Sequence, residues 1–217
     1  MIRLPLRRPL RLLAAPAAAL LAGCQTLATP PPRPQASLVI EEPEAWRGQA
    51  SPADAALIDR LPALWTAALA QARAARFSRR IAAEGELLDP SVALPRAAPA
   101  PGPYACRAVR LAVPAPRPRW EESGDFFCFV GAGPDGLSLT VDGPQRLGGY
   151  LQEEKGGARL IFLGGIAPRR GALSAYGDDP ATDAVGTLER LADFRYRLTL
   201  PGRAGGLTVY EMVAAPR

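Results

Sequence analysis

Beyond Pro103 the apolar residues of this chain recur at every second position, a period that restricts the C-terminal half to β-strands. Val109, Leu111 and Val113 alternate with Ala108, Arg110 and Ala112. Leu137, Leu139 and Val141 alternate with Ser138, Thr140 and Asp142, and Phe194, Tyr196, Leu198 and Leu200 with Arg195, Arg197 and Thr199. Phe126 to Val130 is a short aromatic run between Gly124 and Gly131. Further strands are expected over 146–152, 159–164 and 207–213, with a weaker signal at 172–176. Short Gly-, Pro- and Asp-bearing connections join many of them, which suits antiparallel hairpins and not crossover helices. Seven or eight such strands over 103–214 predict an antiparallel β-barrel of lipocalin-like architecture, within a mainly β, α+β fold.

Ahead of the strands the period is helical. Ser51 suits an N-cap, Pro52 the first helical position and Asp54 the third residue of a capping box. Leu57, Ile58, Leu61, Leu64, Trp65, Ala68, Leu69 and Ala72 then recur at three- and four-residue steps, giving one apolar face. A proline inside a helix clashes with the preceding turn, so Pro62 predicts a kink or a split into 52–61 and 63–82, ending before Gly85. This helical stretch, 51–84, is expected to pack on the barrel, with Trp46 as a staple and 46–217 forming one globular domain.

The N-terminus carries an address. Arg3, Arg7, Arg8 and Arg11 precede the apolar run Leu12–Leu21, and Leu21-Ala22-Gly23-Cys24 reads as a bacterial lipobox. The run is too short for a transmembrane helix, which needs ~20 apolar residues. Residues 1–23 are therefore expected to be a lipoprotein signal peptide, with Cys24 the acylated first residue of the mature chain. Residues 24–45, rich in proline around Pro30–Pro34, would form a tether extending ~3 Å per residue. Gln25, in place of the aspartate that retains lipoproteins in the inner membrane of enteric bacteria, favours the outer membrane facing the periplasm.

Removing the signal also changes the charge balance. Its four arginines come off a total of 26 Lys+Arg against 21 Asp+Glu, leaving 22 against 21, a net of +1. Nucleic-acid binding, which needs a basic stripe, is not expected of such a surface. The partners expected are the membrane, through Cys24, and an envelope protein or a small apolar ligand.

Of the three cysteines, Cys106 and Cys128 remain after acylation. They fall in consecutive predicted strands in an oxidising compartment, which predicts a structural disulfide contributing about 3 kcal/mol by chain entropy. Cys-x-x-Cys spacing is missing, and the chain has no histidine. Ser-His-Asp triads and His-Glu-x-x-His metal sites are thereby excluded. No cofactor or metal is expected. Gly131-Ala132-Gly133-Pro134-Asp135-Gly136 spells a dinucleotide fingerprint, but that motif must open a helix and here a strand follows, so it reads as a hairpin turn.

Carboxylates cluster at Glu84, Glu86 and Asp89, at Glu121, Glu122 and Asp125, and at Asp178, Asp179 and Asp183. A hydrolase of envelope polymers would need two of them facing across a cleft. The best polar-aromatic set on the barrel is Tyr104, Arg107, Gln145, Arg146 and Tyr150, the candidate binding residues. A hollow barrel would favour a small ligand, and a packed one a protein partner.

Gly102-Pro103-Tyr104-Ala105-Cys106-Arg107, Gly143-Pro144-Gln145-Arg146, Phe162-Leu163-Gly164, Gly186-Thr187-Leu188-Glu189-Arg190 and Arg195-Tyr196-Arg197-Leu198 together resemble a bacterial, mainly alphaproteobacterial, family catalogued as domain of unknown function 4893. The resemblance runs from Trp46 to Val213 and implies no activity. In architecture alone the chain is also similar to periplasmic metalloprotease inhibitors, small single-disulfide barrels. The leading expectation is a non-enzymatic envelope lipoprotein that binds a partner or ligand; an inhibitor-like barrel and a carboxylate hydrolase are the alternatives.

Overall fold

The computed structural model describes residues 44–112, 119–167, 171–203 and 205–215. The expected signal peptide, the acylated Cys24 and the tether up to residue 43 lie outside the described residues, as does Val113. Nine antiparallel strands follow a short helical stretch: β1 Gly102–Ala112, β2 Arg119–Glu122, β3 Phe126–Gly133, β4 Gly136–Asp142, β5 Leu147–Glu153, β6 Arg159–Ile166, β7 Asp183–Ala192, β8 Arg195–Pro201 and β9 Leu207–Ala214. β3 to β9 pair in sequence order, and β9 returns to β1, Ala108 opposite Tyr210, so eight strands close a ring. β2 is the extra strand. It pairs with β1 beyond β3, Val109 opposite Glu122 where Cys106 lies opposite Phe126, which leaves one surplus residue among Ser123, Gly124 and Asp125. That is a β-bulge, and it lets β2 flare from the barrel's end.

Alternation sorts each strand's side chains into two layers. Tyr104, Cys106, Cys128, Val130, Leu139, Phe162, Leu198, Tyr210 and Met212 fill the interior. The Cys106–Cys128 disulfide joins β1 to β3 there, and Tyr104 meets Tyr196 edge to face at 5.9 Å. The outer faces of β1 and β9 (Val109, Leu111, Val209) are apolar too, because helices cover them.

Those helices are α1 Ala45–Gln49, α2 Pro52–Asp59, α3 Leu61–Ala74 and α4 Ser78–Glu84, followed by a 3₁₀ turn, Gly85–Leu88. Pro62 splits the helix as expected, sitting in the first turn of α3 where its missing N–H costs nothing. A second break, between α3 and α4, was not expected from the periodicity; Arg76 there takes φ 68°. Leu61, Trp65, Leu69, Leu87 and Leu88 pack on Val109, Leu111 and Val209, while Trp46, Leu57 and Ile58 pack on Ile161, Leu163 and Val185. Each such side chain removed from water contributes about 1.5–3 kcal/mol. Ser51 caps α2 by accepting from the Asp54 amide at 3.2 Å. Asp54 does more than complete a capping box: buried, it accepts from the Tyr176 hydroxyl at 2.7 Å and pairs with Arg203 at 3.0 Å.

An ionic row latches the cover. Arg159, Glu189, Arg197, Glu211 and Arg107 lie directly opposite one another across β6, β7, β8, β9 and β1, alternating in sign. Cross-strand pairs of opposite charge reinforce a sheet. Glu211 accepts from Arg107 and Arg195, which reach on to Glu84 at 2.7 Å and Glu86 at 2.8 Å in the cover. Arg197, fully buried, pairs with Glu189 at 2.7 Å. It also donates to the carbonyls of Glu86, Leu87, Asp89 and Val92, under the ring of Trp65.

Three strands differ from the sequence expectation, the extra strand β2 being one of them. Residues 172–176 form no strand: Leu173 lies over Gly148 and the Ser174 carbonyl over Gly165, on the outside of β5 and β6. β7 was not expected, because it is buried on both faces and shows no alternation. Inside the barrel Gly149 and Gly164 are paired. A Cβ on Gly149 would fall on the Leu163 carbonyl and the Gly164 Cα. Gly149→Ala is therefore expected to lose about 1–3 kcal/mol of stability, as overpacking does. An unchanged thermal unfolding midpoint would contradict this contact.

Candidate binding site at the open end of the barrel

Packing fills the interior at one end and in the middle, and the ring opens at the other. There a cavity of about 510 Å³ is bordered by β1, β2, β9, the β4–β5 turn and the end of β6. A side lobe of about 200 Å³ shares Arg110, Gln145, Ile166 and Thr208 with it and adds Asp183 and Arg203. The β1–β9 register builds the wall. Arg110 stands opposite Thr208 and Ala108 opposite Tyr210, and strand alternation puts all four on the inward face with Tyr104 and Cys106.

Tyr210 forms the floor. It is 2% exposed and meets Phe126 edge to face at 6.3 Å. Among the described residues the sealed polar atoms without a hydrogen bond are Asp54 Oδ1, which faces Arg203 as an ion pair, Thr187 Oγ1 and Thr199 Oγ1. The Tyr210 hydroxyl, also without a hydrogen bond among the described residues, is not one of them and is reached from the cavity it lines. Burial pushes its pKa up to about 12, against the opposing pull of Arg110. It is a neutral donor at physiological pH.

Arg110 Nη1 donates to Glu121 at 3.2 Å, with both side chains about half exposed. Glu122 accepts from the Trp120 indole and lies 3.9 Å from Arg80. Arg146 is 3.5 Å from Asp142, an exposed pair.

The five residues singled out from sequence occupy separate places. Gln145 and Arg146 line this cavity. Tyr104 is inside the barrel, donating to the Ala100 carbonyl at 2.8 Å, and borders an apolar groove of about 430 Å³ beside Phe194. Arg107 belongs to the ionic row, where Glu84 and then Glu211 raise its pKa further. Tyr150 is exposed on the outer face of β5. The site thus gains Arg110, Thr208 and Tyr210, none of them a sequence candidate, and takes Glu121 and Glu122 from one of the carboxylate clusters. Counting alternate positions from Cys106 would have placed Arg110 on the inner face; Tyr210 hides among the apolar residues of its strand.

The carboxylate clusters are engaged locally. Asp178, Asp179 and Asp183 each accept from a backbone amide of their own loop, and Glu84 and Glu86 hold arginines of the row.

Because a tyrosine whose pKa is raised stays neutral longer in the folded chain than in the unfolded one, its contribution is complete below pH 10. It is lost as pH rises through about 12. Of the five tyrosines, Tyr104 and Tyr210 are expected to ionise last, with the fold weakening between pH 10 and 12. A phenolate absorbance titration reads this directly, and five normal midpoints would contradict it.

Fold and site together define a helix-clad, disulfide-bridged antiparallel barrel with one open end. Residues 46–212 match the model of the family described as domain of unknown function (DUF4893), and the chain belongs to that family. No curated protein and no solved structure matches it.

Proposed function

We propose that this chain is a non-enzymatic envelope lipoprotein, anchored through acylated Cys24 and facing the periplasm, whose barrel binds a small ligand at its open end. The observation that carries the binding reading is the Tyr210 hydroxyl, unpartnered at the floor of an accessible cavity in an otherwise packed barrel. The hydroxyl is open to solvent, and a ligand acceptor that takes the place of solvent there gains about 0.5–1.5 kcal/mol net. The lipobox supports the anchor, and Gln25 supports the outer membrane.

Native mass spectrometry of the protein extracted from membranes tests the binding, with a co-purifying small molecule the expected result. A bare mass, both for the parent chain and after incubation with an envelope extract, would count against it. Fractionation tests the anchor: Cys24→Ala should release the chain from the membrane, and retention would overturn acylation.

A second reading, recognition of a protein partner, is favoured by the packed interior and by a wall that no helix among the described residues covers. Phe127 and Phe129 are 69% and 54% exposed there, beside Ala105 and Pro103 of β1. Exposed aromatic clusters mark interaction surfaces. Capture of one defined envelope protein, lost in Phe127→Ser/Phe129→Ser, would favour this reading.

A further inference from the structure

The open end carries unspent donors beside its carboxylates. Among the described residues Arg110 donates through Nη1 alone, to Glu121. The Gln145 amide and the hydroxyls of Thr208 and Tyr210 make no hydrogen bond among the described residues, although all of them line the cavity. Such a set calls for an acceptor-rich group on the ligand. Charge limits it further, because Arg110 and Arg146 are balanced in the lining by Glu121 and Glu122. A dianion would be repelled by those carboxylates, whereas a single negative charge can be held by Arg110. The lining is completed on its apolar side by Pro144, Ile166 and Ala167.

Resting on the ligand-binding reading above, we infer that the open end binds an organic monocarboxylate with an apolar body. Its carboxylate is held by Arg110 and the Tyr210 hydroxyl, and its body lies against Ile166, Ala167 and Pro144. Glu121 is then a built-in competitor. An ion pair as exposed as Arg110–Glu121 contributes at most about 1 kcal/mol. A ligand carboxylate that meets Arg110 and a buried hydroxyl together, behind its own apolar body, displaces Glu121 at little cost. Guanidinium presents a planar fork suited to carboxylates, so Arg110 can also swing between the two acceptors without leaving β1.

The test is calorimetric titration of the chain from residue 24 onward, carrying Cys24→Ser so that no acyl group competes, with decanoate, decan-1-ol and decyl phosphate. Decanoate is expected to bind about tenfold more tightly than the alcohol or the phosphate dianion. Arg110→Ala and Tyr210→Phe should each weaken it by about tenfold, as loss of a charge-assisted hydrogen bond does. Tyr210→Phe keeps the ring against Phe126, so its effect is not one of packing. Glu121→Gln should tighten decanoate several-fold, an outcome that mere damage to the fold would not give.

Equal binding of decanoate and decan-1-ol, or an Arg110→Ala protein with unchanged affinity, would overturn the carboxylate. Alcohol binding that Tyr210→Phe weakens would do so while leaving the open end as a ligand site. Failure of all three probes, together with a bare native mass, would remove both readings.

Discussion

Arg197→Ala is expected to destabilise the protein by roughly 3–5 kcal/mol, the loss seen when one partner of a buried ion pair is removed. The guanidinium is fully buried. Without it the Glu189 carboxylate stays in a low-dielectric wall with its partner gone, and four carbonyls of the segment from Glu86 to Val92 lose a donor. The lost stability should be concentrated in the helical cover. Hydrogen exchange is expected to quicken first in α4 and the 3₁₀ turn, while the β3–β4 hairpin keeps its protection. A second substitution separates charge from hydrogen bonding. If only charge matters, Arg197→Met/Glu189→Leu should restore stability, since apolar replacements of buried pairs are often neutral. Because the carbonyls would still lack their donor, we expect recovery in part only. A full return, or uniform exchange throughout, would show that Arg197 does not hold the cover.

Removing the disulfide by Cys106→Ala/Cys128→Ala is expected to cost about 3 kcal/mol. The bridge spans a sequence separation of 22, and closing a loop of this size restricts the unfolded chain by that amount in the chain-entropy model. For a domain of this size the loss lowers the unfolding midpoint by roughly 10 °C. Both sulfurs lie inside the packed barrel, so smaller alanines also leave a void. Reductant on the parent chain should lower the midpoint nearly as far without creating one. An unmoved midpoint under reducing conditions would show that interior packing alone closes β1 against β3. Arg197 lies on the outer face of β8 and the disulfide inside the barrel between β1 and β3; they share no partner, so their losses should add.

Where one physical rule governed an element, it was legible in the sequence. β4 and β8 follow the period of two, the Pro134-Asp135-Gly136 turn follows hairpin chemistry with Gly136 at φ 100°, and Pro62 divides the helices where its ring geometry requires. β7 was illegible for the opposite reason. With helices on one side and the interior on the other, Ala184, Val185, Thr187 and Leu188 are all buried, and no polar face remains to mark it as a strand. β2 offers only Trp120 among charged neighbours and owes its pairing to the bulge. The site was half legible. Gln145 and Arg146 stood out as polar residues beside glycines, whereas Arg110 and Tyr210 acquire meaning only when β1 and β9 meet.

That meeting has a kinetic consequence. β1 and β9 lie about a hundred residues apart, and loops of such length close slowly compared with hairpins. The hairpins from β3 to β8 can assemble before the chain is complete, but the ring cannot shut until residues 207–214 are available. Since Arg110 faces Thr208 across that seam, the open end is complete only once the ring has shut. A chain stalled before β9 would have half of its wall and nothing to bind.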